Sequence, residues 1–244
     1  MRHQLCPGDS NPTVTAAARG WERLMLEQLR RKNLSSSSEA TFEVGRLYYL
    51  LGRREEGLRK FDEAILQDED RDQSYLDSIA FLVQRGETDA ALDIYRRALA
   101  KPSRSVSEYV KVYASLWIVD LTRRSSKAPD GGALNYLRAI ADRRILLRPP
   151  RAAPWYADLA RYAVGQIDYA TLLGKADTSG KRAEAYFYEA MRRLSNGQRE
   201  EAHALWSKVV ETKMLSFFEF EMASRYLRTG APARPEAADN NEVI

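Results

Sequence analysis

The stretch Leu50-Leu51-Gly52-Arg53-Arg54-Glu55-Glu56-Gly57-Leu58-Arg59-Lys60-Phe61-Asp62-Glu63-Ala64-Ile65 decides the fold. Gly52 separates two helical patterns. After it, Gly57, Phe61 and Ala64 follow at steps of four and three, which puts them on one helix face. Moving 34 residues forward from Gly52, Gly57, Phe61 and Ala64 gives Gly86, Ala91, Tyr95 and Ala98. Leu58 maps onto Leu92 and Ile65 onto Leu99. The same spacing returns at Gly197, Ala202, Trp206 and Val209, 111 residues beyond Gly86. That is three periods plus nine residues, so insertions interrupt the middle of the chain. Self-similarity at a period of this size is the signature of a repeat architecture.

The spacing has a physical reading. In each unit a first helix, A, ends in a tight turn at Gly52, Gly86 or Gly197, where a left-handed backbone conformation is needed. Helix B follows. Gly57, Ala91 or Ala202 marks its closest approach to helix A, and four residues on an aromatic ring fills the adjoining space. Helix A supplies Val44, Gly45 and Tyr48 in the first unit, Tyr75, Ile79 and Leu82 in the second, and Tyr186, Ala190 and Leu194 in the last.

This arrangement resembles the tetratricopeptide-repeat (TPR) family, whose consensus has small residues at its eighth, twentieth and twenty-seventh positions. Gly45, Gly57 and Ala64 match them in the unit 38–71; further units span 72–105 and 183–216. The late proline of the family is missing from the first unit, where Gln67-Asp68-Glu69-Asp70 stands instead. The resemblance implies an all-α fold: a right-handed superhelical array of antiparallel helix pairs, with an irregular middle segment and a C-terminal capping helix.

The remaining segments are read around that core. Residues 1–13 are expected to be disordered and 14–34 to form an amphipathic helix with Trp21, Leu24, Met25 and Leu29 on one stripe. Ser37 or Ser38 caps the next helix. The stretch 106–182 reads as degenerate helical repeats with insertions. Within it, 106–124 and 131–147 pair, Pro149-Pro150 stops the second helix, and Pro154 opens a short one that Gly165 ends. Asp168 caps a further short helix, 169–173, and 175–181 is a linker. The last unit and its capping helix, expected over 217–227, complete 183–228; a disordered tail takes 229–244.

A closer resemblance rests on the order of motifs over roughly residues 40–230. Ser115-Leu116-Trp117 follows the regular repeats. Trp155 then precedes Gly165-Gln166-Ile167 and Thr171-Leu172-Leu173. Glu184, Phe187-Tyr188, Gly197 and Phe217-Phe218-Glu219 come last. This order is similar to that of the NlpI-type TPR lipoproteins of the bacterial envelope. It implies a dimerising adaptor that brings cell-wall hydrolases together with a processing protease. The chain departs from that family in having one regular repeat fewer before Ser115 and no lipoprotein signal.

Composition and motifs narrow the function. The chain has 244 residues, 44% hydrophobic and 30% charged, which suffices for a buried core. The net charge of +4 comes from 38 basic and 34 acidic residues that alternate along the chain, so no nucleic-acid partner is expected. No apolar run approaches the roughly 18 residues of a transmembrane segment. The start lacks an apolar signal region, so the location is left open and reads as cytoplasmic only on the start as written. A periplasmic or outer-membrane lipoprotein lipidated at Cys6 follows if the true N-terminus is missing. Cys6 is the lone cysteine, and His3 and His203 lack metal-ligand spacing. Asp68-Glu69-Asp70-Arg71-Asp72 lacks the glycine and distal glutamate of a calcium loop. No catalytic, cofactor-binding or metal site is expected, and the chain is read as a non-enzyme.

In the TPR family the helix A residues line a concave face that receives a partner. By position these are Glu39, Phe42, Arg46 and Tyr49; Gln73, Leu76, Ala80 and Val83; and Glu184, Phe187, Met191 and Leu194. Phe42 and Arg46 replace the lysine and asparagine with which some members clamp a C-terminal carboxylate, so an apolar or helical peptide is the expected ligand. The reading is a protein-interaction adaptor. The alternative is a structural or assembly subunit acting through a permanent homodimer or complex interface, which an exposed apolar patch at 14–32 or 106–124 would favour.

Overall fold

The computed structural model describes residues 37–68, 72–124, 129–143 and 154–230, together with Gly20, Leu24 and Glu27. The segment expected at 1–13, nearly all of the expected helix 14–34, residues 231–244 of the tail expected over 229–244, and Cys6 lie outside the described residues, whereas Thr229 is the last residue of the closing helix. Every element among the described residues is a helix. Eleven are present: α1 (Ser38–Leu50), α2 (Arg54–Gln67), α3 (Asp72–Arg85), α4 (Thr88–Ala100), α5 (Glu108–Arg124), α6 (Gly131–Asp142), α7 (Trp155–Ala163), α8 (Tyr169–Gly174), α9 (Ser179–Ser195), α10 (Arg199–Glu211) and α11 (Phe218–Thr229). The chain divides into two compact units, Met1–Ser78 and Ile79–Ile244, with the boundary inside α3.

One turn is used three times. Gly52, Gly86 and Gly197 have φ of +79°, +76° and +82°. In each, the glycine N–H donates to the carbonyl three residues back (Tyr49, Val83, Leu194) and the next N–H donates to the carbonyl five residues back (Tyr48, Leu82, Arg193). These paired bonds satisfy the last carbonyls of helix A, and a side chain at the glycine would be strained there. The residue that then opens helix B has nearly the same backbone each time, with ψ of 61° at Arg53, 72° at Glu87 and 70° at Gln198.

In the first unit, α1 starts at Ser37, whose Oγ accepts the Ala40 N–H at 3.1 Å. α1 and α2 then pack as a hairpin. A Cβ at Gly57 would stand 2.8 Å from the Gly45 carbonyl oxygen, and one at Gly45 would stand 2.9 Å from two ring atoms of Phe61. The absence of both side chains therefore sets how closely these helices approach. Phe61 fills the adjoining space, fully buried, with Phe42 at 5.2 Å and Tyr49 at 6.4 Å between ring centroids.

The second unit is built around α5. It packs against α4, α6, α7 and α9, and every residue from Val110 to Thr122 is buried. The sequence pattern marks one apolar side on this helix; the structure covers all of its sides. Its polar residues remain inside because each has a partner. Ser115 Oγ meets Tyr95 Oη at 2.8 Å, Thr122 donates to the Ile118 carbonyl, Lys111 donates to the Lys101 carbonyl, and Asp120 pairs with Arg124 at 2.8 Å.

The irregular segments follow the expected order with shifted ends. α6 stops at Asp142, before the expected 147, and 144–153 lie outside the described residues. Gly165 ends the turn after α7 with φ +82°, and Asp168 caps α8 by accepting the Thr171 N–H at 2.8 Å. Within the expected linker 175–181, Thr178 caps α9, which begins at Ser179. α11 packs against α10 and α9 and stacks Phe218 on Trp117 of α5 at 4.3 Å. It also reaches the end of α3, where Gln84 donates to Glu221 at 2.9 Å and Arg225 donates to the Gln84 carbonyl.

Candidate functional site

In the first unit, α1 and the opening turns of α3 bring several of the nominated residues into one electrostatic neighbourhood. Gln73 Nε2 donates to Asp77 Oδ1 at 2.7 Å, and Asp77 lies within Coulomb reach of Glu43, Arg46 and Glu39. Burial pushes the Asp77 carboxyl up to about 6. The Gln73 hydrogen bond and the Arg46 charge oppose that shift, whereas Glu43 and Glu39 reinforce it. Arg46 Nη1 pairs with Glu43 at 2.8 Å, four-tenths exposed, so that pair contributes little stability. Tyr49 accepts from Arg54 Nε at 3.2 Å and is half-buried.

Glu39, Arg46 and Gln73 are therefore gathered into one neighbourhood, but it is more acidic than the helix A positions alone imply. Asp77 and Glu43 are not among those positions. Asp77 stands four residues after Gln73, on the same side of a helix, and that spacing is the signal in the sequence that points to it.

The remaining nominated residues separate by burial. Glu39 and Gln73 are exposed; Arg46, Tyr49, Leu76, Ala80 and Leu194 are half-buried. Phe42, at 7% exposure, packs on Phe61 as a core residue. Val83, Glu184, Phe187 and Met191 are buried too. Phe187 lies 6.2 Å from Phe218 of α11, edge to face, so α11 occupies the side of α9 that carries it. α5 likewise offers no apolar face at 106–124, where Tyr109 is the exposed large hydrophobic residue.

The second unit holds a polar cluster that the sequence does not mark as a site. Glu184 of α9 and Glu219 of α11 are 6% and 2% exposed. Tyr113 Oη donates to Glu184 Oε1 at 2.8 Å, and Trp155 Nε1 donates to Glu184 Oε2. Tyr188 Oη and Trp117 Nε1 both donate to Glu219 Oε1, at 2.9 Å and 3.5 Å. Burial pushes the Glu184 carboxyl up to about 8, with the nearby Glu219 charge adding to it. Burial also raises Glu219. The Tyr113 and Tyr188 hydroxyls go up for the same reasons: burial first, then the two carboxylates. Glu219 appears in the sequence only within Phe217-Phe218-Glu219. Nothing local shows that its partners come from α5 and α9.

No protein-family model and no curated protein matches this chain. Among the described residues, no group of three or more His, Cys, Asp or Glu side chains is placed to hold a metal ion, and no helix is long and apolar enough to cross a membrane.

Proposed function

We propose that the protein is a non-enzymatic TPR-type adaptor that docks a partner protein on the helix A face of its first unit. One observation carries this reading. A single turn, with one pattern of bonds and dihedrals, recurs at Gly52, Gly86 and Gly197, the first two 34 residues apart, and in the first unit it joins two helices whose close approach Gly45 and Gly57 permit. In the TPR family, hairpins repeated in this way present their helix A faces to a partner. Glu39, Arg46, Tyr49 and Gln73 are the residues through which the first unit would touch a partner. With Glu43 and Asp77 beside them, the partner segment would carry lysine or arginine next to an apolar anchor. A docking platform for envelope proteins is the more specific form of this proposal. It rests on the ordered motifs from Ser115 to Glu219.

Capture with the immobilised full chain from its native cells, followed by mass spectrometry, tests the proposal. Glu39→Lys and Tyr49→Ala should each deplete the same proteins from the eluate; Glu39→Lys should melt as wild type does, and Tyr49→Ala somewhat lower because the Tyr49 ring stacks on Phe61. Truncating a hot-spot aromatic costs about 2 kcal/mol of binding, or some thirty-fold in affinity. Eluates identical to wild type would contradict it. Phe42→Ala is a folding control, because that ring belongs to the core.

The Glu184–Glu219 cluster favours a second reading, since raised carboxyl groups beside tyrosines also suit acid–base catalysis. A general acid must come within hydrogen-bond reach of a substrate. Both oxygens of Glu184 are taken by Tyr113 and Trp155, and the pair lies in the core between α5, α9 and α11. That placement supports a structural role.

A further inference from the structure

The Glu184–Glu219 pair is placed unusually for core carboxylates. Its hydrogen-bond partners are neutral: two phenols and two indoles. Neutral donors stabilise a carboxylate, but they do not supply a counter-charge for two of them in a low-dielectric site. The charged and titratable groups facing the pair can be named element by element. α5 presents Tyr109 and Tyr113, α9 presents Tyr188 and Lys181, and α11 contributes Glu219 itself. Lys181 acts on Glu184, yet its ammonium also pairs with Asp177 at 2.7 Å and sits 5.7 Å over the Trp155 ring. Two carboxyl groups that cannot both be charged at low cost retain a proton between them.

The pair also spans a seam. Glu184 belongs to α9, whereas Glu219 is carried by α11, on the same turn as Phe218. Met222, Ala223 and Tyr226 continue the buried stripe of α11, while Glu221, Arg225 and Arg228 point outward. We propose that α11 is a proton-controlled latch: it seats on α10, α9 and α5 while Glu184 and Glu219 hold a proton between them, and it loosens when both are ionised. Its release would uncover Trp117, Phe187 and Tyr188, an aromatic face that α11 now covers.

The direction of the effect follows from linkage. The seated state binds a proton that the released state gives up. Release is therefore least favourable below the ordinary glutamate range near 4.5, grows as pH rises from there, and levels off once pH passes the raised value of Glu184, about 8.

Hydrogen exchange on the full chain between pH 5.5 and 7.5 tests the latch. After correction for intrinsic exchange, the opening constant of α11 amides should rise with pH, towards about tenfold per unit for one linked proton. The amides of α6, which packs on α5 and α7, should show no such slope. Glu219→Gln is the clean variant, because both donors address Oε1, which the amide keeps. It should reduce the slope, and Glu184→Gln/Glu219→Gln should abolish it. A pH-independent α11 in the wild type overturns the proposal, whether or not the variants fold. So does an equal slope in α6, which would assign the proton to the stability of the whole unit. A folded Glu219→Gln with the wild-type slope overturns it as well.

Discussion

A methyl group at residue 57 would meet the Gly45 carbonyl oxygen at 2.8 Å and the Tyr49 nitrogen at 3.0 Å, both of them backbone atoms that cannot swing aside. Gly57→Leu should therefore destabilise the protein by ~1–3 kcal/mol through overpacking, as read from urea midpoints. Ala91→Leu, at a fully buried position one period on, should cost a similar amount. Gly52→Ala is a useful contrast: nothing lies within 4 Å of its Cβ, so its cost of about 1–2 kcal/mol comes only from φ of +79°. Unchanged midpoints for Gly57→Leu and Ala91→Leu would mean that the register is wrong. Asp77 makes a prediction in pH. Its raised carboxyl favours the neutral form in the fold, so its contribution is lost as pH climbs from 3.8 towards about 6. Asp77→Asn should thus gain more stability, relative to wild type, at pH 7.5 than at pH 4.5. An equal difference at both values would place Asp77 in solvent.

At the scale of elements, most of the helices are legible in the sequence because their signals are local. Ser37, Asp168 and the turn glycines Gly52, Gly86 and Gly197 act on backbone groups within a few residues, and each does so in the structure. Ser37→Ala should cost about 1 kcal/mol of stability as the α1 cap is lost. Legibility falls where partners are distant along the chain. α5 looks one-sided because Lys111, Ser115, Asp120 and Thr122 break its apolar pattern; nothing nearby shows that Tyr95 and the Lys101 carbonyl await two of them. α11 is recognisable as a closing helix, but its route across α9 and α5 is not visible in the sequence. Glu219 bonds a residue 31 positions away in Tyr188 and one 102 positions away in Trp117. Trp117→Ala removes a buried indole together with a Glu219 donor and should cost ~3–5 kcal/mol. Loss of near-ultraviolet circular dichroism at a lower denaturant concentration would register it.

For the whole molecule, the contrast lies between a chain of net charge +4 and a first-unit face carrying Glu39, Glu43 and Asp77. Docking of a basic segment there should weaken as salt rises from low to physiological strength, since rim charges are screened over about 8–10 Å. Capture that is indifferent to salt would shift the weight to the apolar anchor Tyr49. The adaptor reading presupposes that small residues on one helix make room for large ones on its partner. A double-mutant cycle on the full chain tests that most directly, using Gly45→Ala, Phe61→Leu and the two combined. The cycle cancels the helix propensity that alanine adds over glycine and isolates the contact between a residue-45 methyl group and the Phe61 ring. The expected result is that Gly45→Ala is tolerated better in the Phe61→Leu background than with the Phe61 ring in place, by about 0.5 kcal/mol or more. Strict additivity of the two substitutions would contradict it.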